Sequence, residues 1–329
     1  MDISIVIVNM NTKGDLRNCL LSVFKSLEKS ELDFEIFIVD NNSSDGSQEM
    51  VRKEFPLVVL IENKENLGFS RANNRAIRIA KGDYILLLNP DTVIAPKSLD
   101  LMVDFMKKNQ RVGALGPELI GVDGGVQPSA GKADTVFTIF LRFCLPRILT
   151  RKIKEILVKN TFRNFRKLLG SQVDSYFSLA DIEAPVEIDL ISGACFLINK
   201  EIIKEIGLLD ERFFLYSEDA DLCVRIRKKG WKVIYFPKVK VIHYGGTTTG
   251  GEFKPFTLCY GAESAYYYFK KHYSKADSFI VRILLSFALA VRAPWFFYHH
   301  FIFQKQNKST DLWKTYLSAL AKIMAGKTL

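Results

Sequence analysis

The sequence predicts an α/β protein with a mostly parallel sheet flanked by helices on both faces. Three observations carry this. Short runs rich in Ile, Val and Leu have no alternating polar face, so each must be buried on both sides. Stretches with apolar residues at helical spacing separate those runs. Polar clusters recur where the runs end, which is where open parallel sheets bind ligands.

The elements follow in order. Ile3–Val8 is a continuous, largely β-branched run and reads as the first strand. Thr12–Lys29 places Leu16, Leu20, Val23 and Leu27 on one helical face. Phe34–Val39 is a second strand ending in Asp40, and Ser47–Phe55 a helix. Leu57–Ile61, Ser70–Ala80, Tyr84–Leu88 and Lys97–Lys108 continue the alternation as strand, helix, strand and helix. The pattern breaks near Gly121. Regular structure returns in Val186–Asn199, a helix from Lys200, a helix over Ser217–Lys229, and two short strands within Trp231–His243. The aromatic, basic tail beyond Gly251 reads as mostly helical. Four segments result: an αβ half over 1–120, a basic insertion over 121–185, a second half of the αβ domain over 186–250, and a helical extension over 251–329.

A chain of 329 residues exceeds one average domain, and 48% hydrophobic content excludes global disorder. The net charge of +10 is uneven. From Arg142 to Lys167 stand nine basic residues and one acid, Glu155, so this window carries +8 and the rest of the chain +2. Within Arg147–Leu169 the apolar residues Ile153, Ile156, Leu157, Phe165 and Leu168 have roughly helical spacing, which describes a cationic amphipathic segment suited to an anionic membrane surface. The alternative is a solvated helical insertion. Confinement of the charge to one window argues against a nucleic-acid partner. Phe279–Phe303 is apolar but interrupted by Arg282, Arg292 and Pro294, so it reads as interfacial rather than spanning, with Trp295, Phe296, Phe297 and Tyr298 as interface aromatics. The five cysteines show no C-x-x-C spacing, so neither a zinc site nor a disulfide framework is expected, and a reducing compartment fits. The start carries neither a basic region nor a small-residue cleavage site, so no signal peptide is expected.

The polar residues beyond the strands are the candidate site. Asn9 and Asn11 follow the first strand, Asp40 ends the second, and Asn89-Pro90-Asp91 follows the fourth. A carboxylate at such an edge accepts hydrogen bonds from a base or ribose, or holds a divalent cation. Asp45 reads instead as a cap for the helix from Ser47. In Glu65–Asn74, glycine precedes a helix start bearing Arg71, Asn73 and Asn74, donors that suit an anionic ligand such as a diphosphate. Glu218, Asp219 and Asp221 crowd another helix start, more carboxylates than capping needs, and one of them can serve as a general base. The plainer reading there is a solvated acidic start capped by Ser217. His243 closes a strand and becomes a cation ligand only if the fold sets it opposite Asp91.

Together these motifs resemble family 2 glycosyltransferases of the GT-A fold, and among them bacterial rhamnosyltransferases that build cell-surface polysaccharide. The matching stretches are SIVIVNMN (4–11), FIVDNNSSDGS (37–47), ENLGFSRANNRAI (65–77), GDYILLLNPDTVI (82–94) and the long run from Asp189 to His243-Tyr244-Gly245-Gly246. The tail YYYFKKHY (266–273) also looks like that group's extension. The resemblance implies that Asp40 binds the nucleobase beside Val8 and Asn9, with Asn11 close by. It implies that Asn66, Gly68 and Arg71 lie near the base and diphosphate. Asp91 takes the last position of the D-x-D metal motif, whose first aspartate is here Asn89, and His243 is the further ligand of Mg2+ or Mn2+. Asp219, paired with Glu218, is the base, with Gly193 and Asp221 on the acceptor side.

The implied reaction is inverting transfer of a sugar, in this subgroup L-rhamnose from dTDP-rhamnose, to a hydroxyl of a glycan acceptor. That acceptor is often lipid-linked at the cytoplasmic membrane face, which implies a cytoplasmic, peripherally bound enzyme. A UDP-hexose or UDP-N-acetylhexosamine donor is the alternative, and an oligomer is compatible with the sequence. A dinucleotide-dependent oxidoreductase is disfavoured because Asn9-Met10-Asn11-Thr12-Lys13-Gly14 stands where G-x-G-x-x-G belongs. A non-catalytic scaffold is disfavoured by the presence of Asp91, Asp219 and His243 together.

Overall fold

The computed structural model describes residues 1–144, 182–245, 255–303 and 312–327. Two compact units emerge, a sheet unit (Met1–Lys132, Ser178–Phe214 and Glu218–Thr248) and a helical unit (Ala133–Phe177, Leu215–Ser217 and Thr249–Leu329).

The sheet unit begins with β1 (Ile3–Asn9), α1 (Lys13–Leu27), β2 (Phe34–Asp40), α2 (Ser47–Glu54), β3 (Val59–Glu62), α3 (Gly68–Ile77) and β4 (Tyr84–Leu88). β5 (Thr92–Ile94), α4 (Ser98–Lys108), β6 (Val112–Ile120) and β7 (Ala130–Gly131) follow. After the basic segment come β8 (Val186–Glu187), β9 (Leu190–Ile191), β10 (Cys195–Asn199), α6 (Lys200–Ile206), α7 (Glu218–Lys228) and β11 (Lys232–His243). The sheet order is β3-β2-β1-β4-β10-β6-β11-β5, with β8 also on β11. β3, β2, β1 and β4 are mutually parallel, as the unbroken apolar runs predict. β10 enters antiparallel between β4 and β6, so the sheet is mixed. Strands from residues 1–120 and from 186–243 therefore share one sheet.

Two apolar layers sandwich it. Ile5, Leu20, Leu86, Met102 and Leu197 lie in one; Val6, Ala76, Leu87, Phe196 and Leu222 lie in the other. Adjacent strand positions thus serve opposite faces, which is why these strands read as continuous hydrophobic runs.

Three details differ from the sequence reading. β6 (VGALGPELI) is a fully integrated strand, although its two glycines and proline hide it. β5 is a short added edge. Lys232–His243 forms one long strand rather than two, because Pro237 falls where the pairing with β6 shifts register between Phe236 and Lys240. A bulge there removes the need for a ladder donor.

In the helical unit, α5 (Val136–Ile139) runs into a π turn at Phe140–Cys144, followed by α8 (Pro255–His272), α9 (Lys275–Phe303) and α10 (Leu312–Met324). The three long helices pack on one another. The Cys144 thiol reaches the Leu284 carbonyl at 3.5 Å, and Lys322 pairs with the buried Glu263 at 3.3 Å. Arg142, counted above with the basic window, pairs with Asp134 at 2.7 Å. Residues 145–167 of that window and the side chains of Trp295–Tyr298 lie outside the described residues. Among the described residues, no helix is long and apolar enough to cross a membrane.

Candidate active site

Parallel register sets the first corner of the site. Asn9 and Asp40 are partners at the carboxyl ends of β1 and β2. The Asn9 amide donates to Asp40 Oδ2 at 2.9 Å and to Ser43 Oγ at 3.0 Å, while its carbonyl accepts from Thr12 Oγ1 at 2.7 Å. Asp40 Oδ1 accepts from the Ser43 N–H at 2.8 Å and from Gln48 Nε2 at 2.7 Å. The Asp40 carboxylate is buried and held by three internal donors, which fixes its direction while leaving acceptor capacity on Oδ2. Val8 sits half-buried one residue earlier. Asn11 takes a left-handed φ of 53°, and its side-chain oxygen accepts the Ser44 N–H at 2.8 Å. Asp45 ties two helix starts together, accepting from Lys13 N at 2.8 Å and Ser47 N at 3.0 Å, although the N-cap position of α2 itself is Gly46.

The turn into α3 forms the second corner. Asn66 Oδ1 accepts the Gly68 N–H at 2.9 Å. Gly68 has a φ of +76°, and a Cβ there would lie 2.5 Å from the Phe214 carbonyl, which also receives the Phe69 N–H at 2.8 Å. Only glycine fits so close an approach. Arg71 is more than half exposed, with Glu211 3.7 Å away. Asn73 and Asn74 depart from expectation. Both are buried, Asn73 bonding to Phe69 O and Asn74 to Leu209 O, so they brace the scaffold and leave Arg71 as the donor facing out.

The third corner joins β5 to the end of β11. Antiparallel pairing sets His243 opposite Thr92, and the Tyr244 N–H donates to the Asp91 carbonyl at 2.9 Å. His243 Nε2 thereby stands 3.5 Å from Asp91 Oδ1. The preceding Asn89 is fixed by its N–H to Ala194 O at 2.9 Å, while its carbonyl accepts from Thr92 Oγ1 at 2.7 Å. The other side of the imidazole meets Gln127, with His243 Nδ1 2.8 Å from Gln127 Oε1. Sequence reasoning missed Gln127. The signal was its turn: Asp123-Gly124-Gly125 folds the chain back, so that Val126 bridges Ile120 and the next residue falls beside the end of β11.

These side chains fit a divalent cation. A carboxylate and an imidazole lone pair converge from two elements, and Mg2+ or Mn2+ commonly takes one or two protein ligands and completes its shell with phosphate and water. Among the described residues, no group of three or more His, Cys, Asp or Glu side chains gathers around a cation site, so Asp91 and His243 stand as a pair.

The fourth corner is the start of α7. Tyr216 and Ser217 both adopt left-handed φ, 72° and 65°. Such conformations cost about 1–3 kcal/mol each and cluster at functional sites. A left-handed Ser217 lacks the extended backbone usual at a helix cap. Asp219 Oδ2 accepts the Gly193 N–H at 2.9 Å, and Oδ1 accepts the Ala220 N–H at 2.7 Å. Glu218 is buried, with Oε2 lacking a hydrogen-bond partner among the described residues; burial first, then Asp219 and Asp221, push its carboxyl well above the ordinary glutamate range. Asp221 is fully buried on Arg225 at 2.8 Å. Arg225 in turn binds the carbonyls of Ile206 and Leu208 at 3.0 Å. Asp221 thus anchors the turn after α6 instead of facing an acceptor.

This mixed sheet, with its polar residues gathered at the carboxyl edge, has the GT-A glycosyltransferase fold. Residues 4–207 match the model of "Glycosyl transferase family 2", and the chain belongs to that family; it is a rhamnosyltransferase-like glycosyltransferase. It is 30% identical over 232 residues to the N-acetylglucosaminyl-diphospho-decaprenol L-rhamnosyltransferase of Mycobacterium tuberculosis, covering 67% of this chain and 70% of that one. The low-salt glycan biosynthesis hexosyltransferase Agl10 of Haloferax volcanii is 25% identical over 249 residues, 74% of this chain and 67% of that one. Among solved structures, GalNAc-T7 with UDP, GalNAc and Mn2+ superposes with a TM-score of 0.56 at 16% identity, over 99% of this chain and 56% of that one. The Pyrobaculum calidifontis mannosyltransferase PcManGT with GDP-Man and Mn2+ superposes with a TM-score of 0.54 at 16% identity, over 98% and 86%.

Proposed function

We propose that the protein is an inverting, divalent-metal-dependent transferase that moves L-rhamnose from dTDP-rhamnose to a hydroxyl of a lipid-linked glycan during cell-surface polysaccharide synthesis. The observation that carries this reading is the pairing of two features on one sheet edge: a carboxylate–imidazole pair, Asp91 and His243, and a carboxylate at a helix start, Asp219. The rhamnosyl donor and lipid-linked acceptor are supported by the relative from Mycobacterium tuberculosis.

In this reading Asp40, with Val8, Asn9 and Asn11, receives the nucleobase. Asn66, Gly68, Arg71 and Asn89 line the path to the diphosphate, where the Arg71 guanidinium offsets charge as it develops on the leaving group. Asp91 and His243 would hold Mg2+ or Mn2+, which supplies charge neutralisation at the departing diphosphate when bound. Asp219 takes the proton from the acceptor hydroxyl as that oxygen attacks the anomeric carbon from the face opposite the diphosphate. Gly193 and Ala220 hold its carboxylate in place by their N–H groups. A single displacement inverts the anomeric centre. Glu218, buried and favoured in its neutral form, reads as a support beneath Asp219.

We further assign the helical unit to an anionic membrane surface at the cytoplasmic face. The support is the outward side of α9, where Phe279, Ile280, Ile283, Phe287 and Val291 are all exposed, together with the +8 basic window of the sequence. Apolar exposure of this kind marks an interaction surface.

The donor assignment is tested by thermal stability with dTDP-rhamnose, UDP-glucose, UDP-galactose and UDP-N-acetylglucosamine, each with and without Mn2+. Binding to the native state stabilises it by ~2.7 kcal/mol at a hundredfold excess over Kd. A Mn2+-dependent rise with dTDP-rhamnose alone, lost in Asp91→Ala, supports the reading. A rise with a UDP-sugar instead selects the alternative donor, and no rise with folded protein overturns donor binding altogether.

A further inference from the structure

Gln127 grips His243 at two points. Its Nε2 donates to the His243 backbone carbonyl at 2.9 Å, and its Oε1 lies 2.8 Å from the same residue's Nδ1. The first contact fixes the second. A backbone carbonyl can only accept, so the amide nitrogen must face it, and the amide oxygen must face the ring. An amide oxygen can only accept, so Nδ1 carries the proton. In the neutral ring this leaves the lone pair on Nε2, the atom 3.5 Å from Asp91 Oδ1.

We infer that Gln127 is the positioning residue of this site: it locks His243 in the Nδ1–H tautomer and sets the plane of its ring, so that the Nε2 lone pair converges with the Asp91 carboxylate on one cation. The inference rests on the reading of Asp91 and His243 as metal ligands, but its structural half, the tautomer lock, stands apart from it. Imidazole ligands generally need such a partner. Without one the neutral ring in water favours the Nε2–H tautomer, which puts a proton where the cation would bind. The backbone prepares the clamp. The Gly121–Gly125 turn and the Gln127 N–H to Leu119 O bond at 2.8 Å hold the residue rigidly beside β11. The second grip, on the carbonyl, prevents the amide from flipping.

The test uses the full-length, metal-free protein labelled with 15N, at about pH 8, where an ordinary imidazole is neutral. Two-bond 15N–1H correlation reads the tautomer of each histidine, and His243→Asn assigns the signal. Wild type should show His243 as Nδ1–H. Gln127→Leu should give Nε2–H or a mixture, and Gln127→Glu, which still accepts from Nδ1–H, should restore the wild-type pattern. In parallel, electron paramagnetic resonance measures Mn2+ affinity in the presence of dTDP. Gln127→Leu should weaken it roughly 10- to 100-fold, with Gln127→Glu recovering most of the loss. An Nε2–H signal in wild type, or an unchanged tautomer in Gln127→Leu, overturns the clamp. A locked tautomer combined with equal Mn2+ affinity in wild type and His243→Asn would retain the clamp and overturn the metal reading instead.

Discussion

The N–H of Gly193 donates to Oδ2 of Asp219 at 2.9 Å, joining the loop before β10 to the first turn of α7. The Ala220 N–H holds Oδ1 at 2.7 Å, so two backbone donors orient the carboxylate. In the proposed reading this carboxylate is the general base. Asp219→Asn should therefore lower kcat by about 10²- to 10⁴-fold while leaving the donor KM and the melting temperature near wild type. Gly193→Ala keeps the N–H, and its Cβ would sit 3.6 Å from Asp219 Cβ, an ordinary contact, so it should stay close to wild type. Steady-state kinetics on both variants decide the matter: equal losses would mean that Gly193 serves the acceptor through space rather than Asp219 through its N–H.

Asp221 calls for the opposite outcome. Its carboxylate is fully buried on Arg225, whose remaining donors close the turn at Ile206–Leu208. Removing one partner of a buried pair strands the other charge, at a loss of about 3–5 kcal/mol. Asp221→Ala should lower stability by that order in urea unfolding. Whatever fraction remains folded should keep its kcat. A variant that is stable but inactive would return Asp221 to the reacting groups.

Much of this is legible in the sequence. Ile3–Val8, Phe34–Val39 and Tyr84–Leu88 announce buried parallel strands because nothing polar interrupts them. The strand ends then point directly to Asn9, Asp40 and Asp91. What escaped notice did so for physical reasons. β6 carries two glycines and a proline, which local propensity reads as a loop, yet it is paired on both sides in the sheet. Asn73 and Asn74 look like ligand donors in one dimension, but the helix turns them into the scaffold. Gln127 is remote from every motif and acquires a role only when a turn and a sheet register bring it to His243.

Glu218 yields a pH dependence. Burial, then the neighbouring Asp219 and Asp221, raise its pKa in the folded state above that of the unfolded chain. The folded state therefore binds this proton more tightly, and the group's contribution is most favourable in acid. It is lost as pH rises from the ordinary glutamate range through the raised folded value. Glu218→Gln keeps the shape and cannot ionise, so it should melt higher than wild type, by a margin that grows with pH across that window. Melting curves at several pH values check this; a margin that is constant or shrinks would show that Glu218 ionises freely in the folded protein.

The outward face of α9 leads to the last prediction. Residues at positions 279, 283, 287 and 291 recur every fourth position on one side of the helix, and Phe279, Ile283, Phe287 and Val291 are 52%, 52%, 60% and 61% exposed. The inward positions Val281, Leu285 and Leu289 are buried, so the helix is apolar on both sides. Water alone does not favour the outer stripe, whereas an interfacial helix needs one. Arg282 stacks its guanidinium 4.9 Å from the Phe279 ring centroid, placing a cation beside the stripe where anionic headgroups would lie. Ile283→Asp with Phe287→Asp should leave the fold intact, since both side chains point outward. It should also remove most cosedimentation with vesicles containing anionic lipid. Wild-type binding should weaken with salt and be slight on neutral vesicles. If the double variant still binds vesicles as wild type does but changes from dimer to monomer in sedimentation, the stripe belongs to a second copy of the chain, and the membrane assignment falls.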